Sequence, residues 1–369
     1  MCDKKLLIIG HVPSPNTQAL RDAVLRGAMQ SEPVNGFMRL FGRTFMFKKI
    51  TAAIAATSLL LGAAGVAMAD GHKVVDQIKF LIPGGAGGGW DGTARGTGEA
   101  LTKSGLVGGA TYENMSGGGG GKAIAHIIET NDQDTLMVNS TPIVIRSLQG
   151  VFPQSFRDLT PIAGTIGDYG AVVVHKDSTI ASMPQFLAEY ANDPKSVAIG
   201  GGSVAGGMDH LIAALIMKNA GANPIDVKYI PYDAGGKAMA GLLSGEIAAL
   251  TTGFGEAIEL ARQGEVNILC VTSPERLSTS PDTPTCAEAG SPGTEFVNWR
   301  GFFAAPGLSD EKKAQFITAL EKMYDTDEWS TVRDRNGWVE IFNADAEFVS
   351  FLEAQEEEIG GLMRELGFL

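Results

Sequence analysis

Short apolar runs alternate with helical stretches along most of this chain, and that alternation limits the folds open to it. The first series begins at IKFLIP (78–83) and continues to DTLMVNS (134–140). A second series runs from GAVVVHKD (170–177) to VNILCVTS (266–273). Strands that alternate with helices usually pair in parallel through right-handed crossovers. The sequence therefore predicts an α/β protein built from two such series.

The two series indicate two lobes joined by crossing strands. A later run, NWRGFFAAP, resembles a strand that returns to the first series after the second one is complete. We place the crossings near Asp168–Val172 and Phe296–Phe303, so that lobe 1 holds residues 70–170 and 296–369 and lobe 2 holds residues 171–295. Open α/β sheets bind ligands beyond the carboxyl ends of their strands, so facing lobes are expected to enclose a ligand cleft.

The N-terminal part of the chain is interpreted as a leader and is left out of the fold. MFKKITAAIAATSLLLGAAGVAMADGHK begins with a basic segment, continues with an apolar run and contains an Ala-x-Ala motif. This pattern predicts a cleavable signal peptide over residues 46–69, cut after Ala69, and a periplasmic protein. A membrane-spanning helix is the alternative, but the run is short and interrupted by Thr and Gly. Residues 1–45 precede the signal, and we interpret them as a spurious upstream extension.

The net charge of the chain limits the classes of ligand that it can bind. The formal net charge of −13 argues against a nucleic-acid partner, because phosphate binding needs a clustered basic surface. It leaves a small anionic ligand possible, since backbone N–H groups supply positive potential locally.

Two cysteines, Cys270 and Cys286, follow the predicted signal peptide. An oxidising compartment would allow a disulfide between them. The apolar run VNILCV around Cys270 would equally suit a buried free thiol.

Five loops at predicted strand ends offer bare amides, hydroxyl groups and helix N-termini. They span residues 84–91, 139–141, 201–207, 234–236 and 251–253. None of them sets a base beside a nucleophile, which favours a site that holds a carboxylate over one that cleaves a bond. The histidines are scattered without metal-ligand spacing, so we expect no metal site.

The glycine-rich stretch IPGGAGGGWDGTARGTG supports a competing hypothesis. Gly87, Gly89 and Gly92 match the dinucleotide fingerprint, and Glu113 follows about twenty residues later. A dinucleotide-dependent oxidoreductase is therefore the alternative from another class, although export disfavours it because nicotinamide cofactors are scarce outside the cytoplasm. SGGGGGKA lacks two residues of a Walker A loop, and GGSVAGG lacks a glycine of the nucleophile elbow. We expect no cofactor and no catalytic residues.

Several segments together resemble the periplasmic solute-binding proteins of tripartite tricarboxylate transporters. They include IKFLIPGGAGGGWDGTAR, YENMSGGGGGKA, DLTPIAG, YIPYDAGGKAMAGLLSGEI and NWRGFFAAPG, in the family's order from about Val74 to the C-terminus. The resemblance implies a bilobal periplasmic-binding-protein type II fold that closes on a carboxylated small molecule, and Arg300 near the cleft favours a citrate-like acid. It also implies delivery to large and small membrane subunits, or to a sensor kinase as the alternative. We expect the receptor to be a monomer.

The resemblance also implies which residues contact the ligand. Those carried over are Gly84, Gly85, Gly88, Gly89, Asp91, Ser140, Thr141, Gly206, Gly207, His210, Ala234, Gly235 and Gly236. Three positions depart from the family pattern. Gly207 stands where Ser or Thr is common, and Trp90 replaces a smaller residue, where it either walls the pocket or packs. Arg300 stands where many relatives carry an aromatic residue; it suits either an extra ligand carboxylate or an ion pair at the hinge.

Overall fold

Two β-sheets that share one long strand organise the protein. The computed structural model describes residues 73–369, so the predicted signal peptide (46–69) and upstream extension (1–45) lie outside the described residues. The strands are β1 (Ile78–Ile82), β2 (Ala110–Asn114), β3 (Thr135–Ser140), β4 (Thr160–His175), β5 (Ile199–Gly201), β6 (Tyr229–Pro231), β7 (Ala249–Gly253), β8 (Val266–Val271), β9 (Val297–Ala304) and β10 (Val339–Ala344).

In the part of the chain that the structure describes, ten α-helices connect or cover these strands. They are α1 (Gly89–Lys103), α2 (Gly121–Thr130), α3 (Thr141–Leu148), α4 (Met183–Asn192), α5 (Met208–Asn219), α6 (Gly235–Leu243), α7 (Phe254–Arg262), α8 (Asp310–Tyr324), α9 (Asp327–Asn336) and α10 (Asp345–Leu366). Within residues 73–369, no helix combines the length and the apolar character that a membrane crossing requires.

The first sheet contains the predicted parallel series and three antiparallel additions. β1 pairs in parallel with β2 and with β3. β9 lies antiparallel between β3 and the first part of β4, as expected for a strand that returns from the second series. β10 adds to the other side of β4. The acidic sequence after β9 favours helices, so the strand at Val339–Ala344 departs from that pattern.

The second sheet is built on the remaining part of β4. β5, β6 and β7 pair in parallel, and β4 pairs antiparallel with β7 and β8. The change of partner is abrupt, because Tyr169 faces Val297 of β9 and Gly170 faces Gly253 of β7. This change falls inside the segment where we placed the first crossing. The division of the chain into two lobes at residues 170/171 and 295/296 stays a prediction.

Helices cover the sheets, and the inner strands are therefore buried on both faces. All six residues of β3 are buried, as are most residues of β4. Phe80 and Phe302 from the first sheet pack in one cluster with Trp329 of α9. Cys270 and Cys286 lie fully buried and form a disulfide, which decides between the two alternatives that the sequence left open.

Candidate functional site

A cavity of about 150 Å³ lies where the strand ends of the two sheets meet. The loops after β1, β5 and β6 line it, together with the last residue of β3 and the start of α7. The predicted site residues that line it are Gly84, Gly85, Gly88, Gly89, Trp90, Ser140, Gly207, Ala234, Gly235 and Arg300. Residues from both sheets thus surround one small space, as the position of the strand ends predicted.

Five predicted site residues do not line this cavity, namely Asp91, Thr141, Gly206, His210 and Gly236. Asp91 shapes the first glycine loop instead. Its carboxylate accepts hydrogen bonds from the Gly87 amide (3.1 Å), Arg95 Nε (2.9 Å) and Asn114 Nδ2 (3.0 Å). Because these donors occupy both of its oxygens, Asp91 fixes the conformation of the loop around the cavity.

His210 has a similar supporting role on the other side of the cavity. Its ring stacks on Tyr229 at 4.5 Å, and Phe368 packs edge-on against it. Nδ1 accepts a hydrogen bond from the Gly206 amide at 3.0 Å. Burial lowers the pKa of His210 to about 4, so the imidazole is neutral at physiological pH and can act as this acceptor. His210 therefore holds the loop that precedes α5.

Four helices have an N-cap residue that lines the cavity, and none of these N-cap side chains accepts a hydrogen bond from its helix. The N-cap residues are Gly88 of α1, Ser140 of α3, Gly207 of α5 and Ala234 of α6. Away from the cavity, the hydroxyls of Ser182, Ser309 and Thr326 cap α4, α8 and α9, whereas α10 starts after Ala344 without a side-chain cap. At α5, one amide, that of Asp209, donates to Ser203 Oγ at 2.9 Å.

These uncapped starts concentrate positive potential on the cavity. The first amides of a helix lack intrahelical acceptors, and the helix dipole favours a negative charge beside them. A side chain at the N-cap normally satisfies one of these donors. The cavity therefore has the chemistry of an anion site made mainly of backbone groups.

Trp90 both walls the cavity and anchors two of its loops together. Its Nε1–H donates to Ser140 Oγ at 2.9 Å, which links the start of α1 to the end of β3. The two alternatives considered for this tryptophan are thus both realised. An indole N–H that finds a partner in a partly buried site is the usual arrangement for this residue.

Arg300 lies at the cavity within an ion-pair network. Its Nη2 is 2.7 Å from Asp168 Oδ2 and 3.6 Å from Glu256 Oε1, and Nη1 donates to Thr93 Oγ1 at 3.1 Å. The guanidinium is almost completely buried. Burial raises the pKa of Asp168, whereas Arg300 and the amide of Gly255 oppose that shift. The hinge ion pair, one of the two alternatives for Arg300, is present, and it already offsets the charge of this arginine.

Two further buried carboxyl groups, those of Glu256 and Asp209, line the cavity and were not found from the sequence. Burial raises the pKa of Glu256 to about 8 and that of Asp209 to about 7. Glu256 Oε2 accepts a hydrogen bond from Thr252 Oγ1 at 3.0 Å. Both residues lie in the first turn of a helix, where acidic residues are common because a negative charge interacts favourably with the positive end of the helix dipole. That common pattern gave no sign that they face a ligand site.

The glycine run after β2 and one arginine were also missed. Ser116, Gly117, Gly118 and Gly119 line the cavity, as does Arg146 of α3. The run does not fit a Walker A loop, but its repeated glycines were a signal of close backbone approach that could have been used. The other polar lining residues are Ser203, Tyr232, Asp233 and Asn298.

The dinucleotide hypothesis finds little support in this geometry. The amide of Gly87, in the fingerprint loop, is already bonded to Asp91. Glu113, the residue expected to hold the ribose, forms an ion pair with Lys79 at 2.7 Å.

Within residues 73–369, no group of three or more potential metal ligands is found.

The sequence matches the family described as "Tripartite tricarboxylate transporter family receptor" over residues 100–368. The chain belongs to this family. Protein BugT of Bordetella pertussis (strain Tohama I) is 28% identical over 273 residues, which cover 70% of this receptor and 80% of BugT.

Solved structures show the same fold. The periplasmic binding protein BugD superposes with a TM-score of 0.72 at 18% identity, covering 79% of the receptor and 98% of BugD. MatC from Rhodopseudomonas palustris, solved with bound malate, gives a TM-score of 0.68 at 20% identity, covering 79% of the receptor and 99% of MatC. The predicted family and the bilobal periplasmic-binding-protein fold are thereby confirmed. The family and its structural neighbours are substrate-binding receptors.

Proposed function

We propose that this receptor captures a small organic acid, a di- or tricarboxylate, by closing its two lobes around the cavity. The observation that carries this proposal is the convergence of four uncapped helix starts on one small space. A hydrogen bond to a charged group contributes roughly 1.5–3 kcal/mol, and a micromolar Kd requires about 8 kcal/mol. Three or four convergent amides therefore supply enough free energy without any catalytic group.

The size of the cavity favours a short acid over citrate. An engineered protein cavity of about 150 Å³ holds benzene. The receptor's cavity has this volume, and citrate is considerably larger than benzene. Malate, the ligand in the MatC structure, is a smaller diacid. We therefore place short dicarboxylates ahead of the citrate-like ligand that the sequence favoured.

The same proposal covers location and partners. A signal peptide over residues 46–69, cut after Ala69, would export the receptor to the periplasm, in keeping with its family. There it would act as a monomer that passes its ligand to one large and one small membrane subunit of a tripartite transporter. No cofactor takes part, because binding and release complete the task.

The first test is thermal unfolding of the receptor purified from the periplasmic fraction after expression of the full-length chain. The ligand panel contains malate, succinate, adipate, citrate, acetate and NADH. A ligand at one hundred times its Kd adds about 2.7 kcal/mol, which raises Tm by several degrees. We expect a shift with short dicarboxylates and none with NADH.

N-terminal sequencing of the same sample locates the cleavage site. A mature N-terminus at Asp70 would agree with cleavage after Ala69, and retention of the leader would contradict the proposed export route. A shift with NADH alone would refute the receptor function and restore the dinucleotide hypothesis.

A further inference from the structure

The cavity wall contains one arginine whose charge no acidic side chain offsets. Arg146 is only 8% exposed, and within residues 73–369 it takes part in no ion pair with a carboxylate. Burial lowers its pKa, and no neighbouring acid opposes that shift. Arg300, the other arginine at the cavity, is paired with Asp168, whose Oδ2 lies 2.7 Å from its Nη2. Arg146 is therefore the cation that remains available to a ligand.

The surroundings of Arg146 hold its guanidinium in place but leave part of its hydrogen-bonding capacity unused. Nη1 donates to Gln149 Oε1 at 2.5 Å, and Gln149 Nε2 donates in turn to the Gly206 carbonyl at 3.2 Å. Nε is buried and has no hydrogen-bond partner. A side chain at position 119 would overlap the guanidinium, because a Cβ there would lie 2.7 Å from Nε. Gly119 thus makes room for Arg146, and Gln149 ties it to the loop on the opposite side of the cavity.

A buried, unpaired cation is unfavourable unless a ligand provides its counter-charge. A carboxylate is the natural partner, because the planar guanidinium binds it through parallel hydrogen bonds. The helix starts described above provide for one carboxylate by backbone amides alone. A ligand with a single carboxylate would leave either these amides or Arg146 without an anionic partner.

We propose that Arg146 binds the second carboxylate of the ligand and makes the receptor select dianionic acids over monoanionic ones of the same shape. This inference rests on the proposed function, since it assigns a specificity-determining residue within the same cavity. It assigns no such role to Arg300, whose charge is already offset.

The experiment compares succinate with succinamate, in which an amide replaces one carboxylate without changing the size of the molecule. Isothermal titration calorimetry is performed at pH 7 on the unmodified receptor, Arg146→Gln and Arg146→Lys. The matched control is Arg157→Gln, which removes an exposed arginine paired with Glu356. We expect the unmodified receptor and the control to bind succinate at least tenfold more tightly than succinamate.

In Arg146→Gln we expect succinate affinity to fall at least tenfold, with little change for succinamate, so that the preference nearly disappears. Arg146→Lys should recover part of it, because it keeps the charge and loses the planar fork. An unchanged preference in Arg146→Gln would overturn the inference.

The unmodified receptor provides a test that does not depend on the folding of any variant. If it binds succinate and succinamate equally, the inference fails while the proposed function stands. If it binds none of the acids in the panel, the proposed function fails and the inference fails with it.

Discussion

Glu256 is expected to make the stability of the ligand-free receptor depend on pH. Burial raises the pKa of this carboxyl from its ordinary value of 4.5 to about 8. The charged groups that act on it are Arg300, Asp168 and Asp209, and Thr252 donates a hydrogen bond to it. Because its pKa is higher in the folded state, the folded receptor binds more protons than the unfolded chain between these two values. The folding stability that the raised pKa of Glu256 contributes is fully present below about pH 4.5 and is lost as the pH rises through 8.

The size of the effect follows from the two pKa values. A group that titrates at 4.5 when unfolded and at about 8 when folded contributes roughly 3 kcal/mol more at pH 5.5 than at pH 8.5. Glutamine resembles the protonated carboxyl and does not titrate. The stability advantage of Glu256→Gln over the unmodified receptor should therefore grow by about 3 kcal/mol between pH 5.5 and pH 8.5. Asp209, whose pKa is raised to about 7, leaves a smaller slope of the same sign in the variant.

Urea unfolding of both proteins at pH 5.5, 7.0 and 8.5 measures this difference directly. Glu259→Gln is a matched control, because Glu259 lies on the same helix with 62% of its side chain exposed. The control should keep the pH slope of the unmodified receptor. If Glu256→Gln keeps that slope as well, the carboxyl is ionised in the folded protein and the reasoning is wrong.

Two further predictions concern the framework around the site. Cys286→Ser removes a disulfide that joins residues 16 positions apart. We expect the free energy of unfolding, measured in urea, to fall by about 3 kcal/mol. A reductant should lower the stability of the unmodified receptor but not that of Cys286→Ser. Gly202→Ala would put a methyl group 2.2 Å from the backbone nitrogen of Gly235, and displacement of these two loops should cost about 1–3 kcal/mol and weaken acid binding in calorimetry. Gly92→Ala, whose new methyl group meets nothing within 4 Å, should leave acid binding unchanged.

The backbone framework of the site could be predicted because its signals are local. A strand followed by a glycine loop and a helix start is a contiguous pattern, and it placed Gly84, Gly88, Ser140 and Ala234 at the cavity. β10 was not predicted, because VEIFNA lies between two acidic helices and lacks the regular alternation of apolar and polar residues that indicates a strand. Its strand character comes from pairing with β4, more than 160 residues earlier in the chain.

The electrostatics of the site could not be predicted in the same way, because they arise from contacts between distant segments. Arg300 and Asp168 are 132 residues apart, and only their contact offsets the charge of the arginine. In the sequence, Arg146 is an ordinary basic residue in the last turn of a helix, where cations are favoured by the dipole. Which arginine remains free for a ligand depends on where the acids lie in three dimensions. The overall charge of −13 gives no indication of it, since an acidic protein can still present one unpaired cation and four helix starts to a single small cavity.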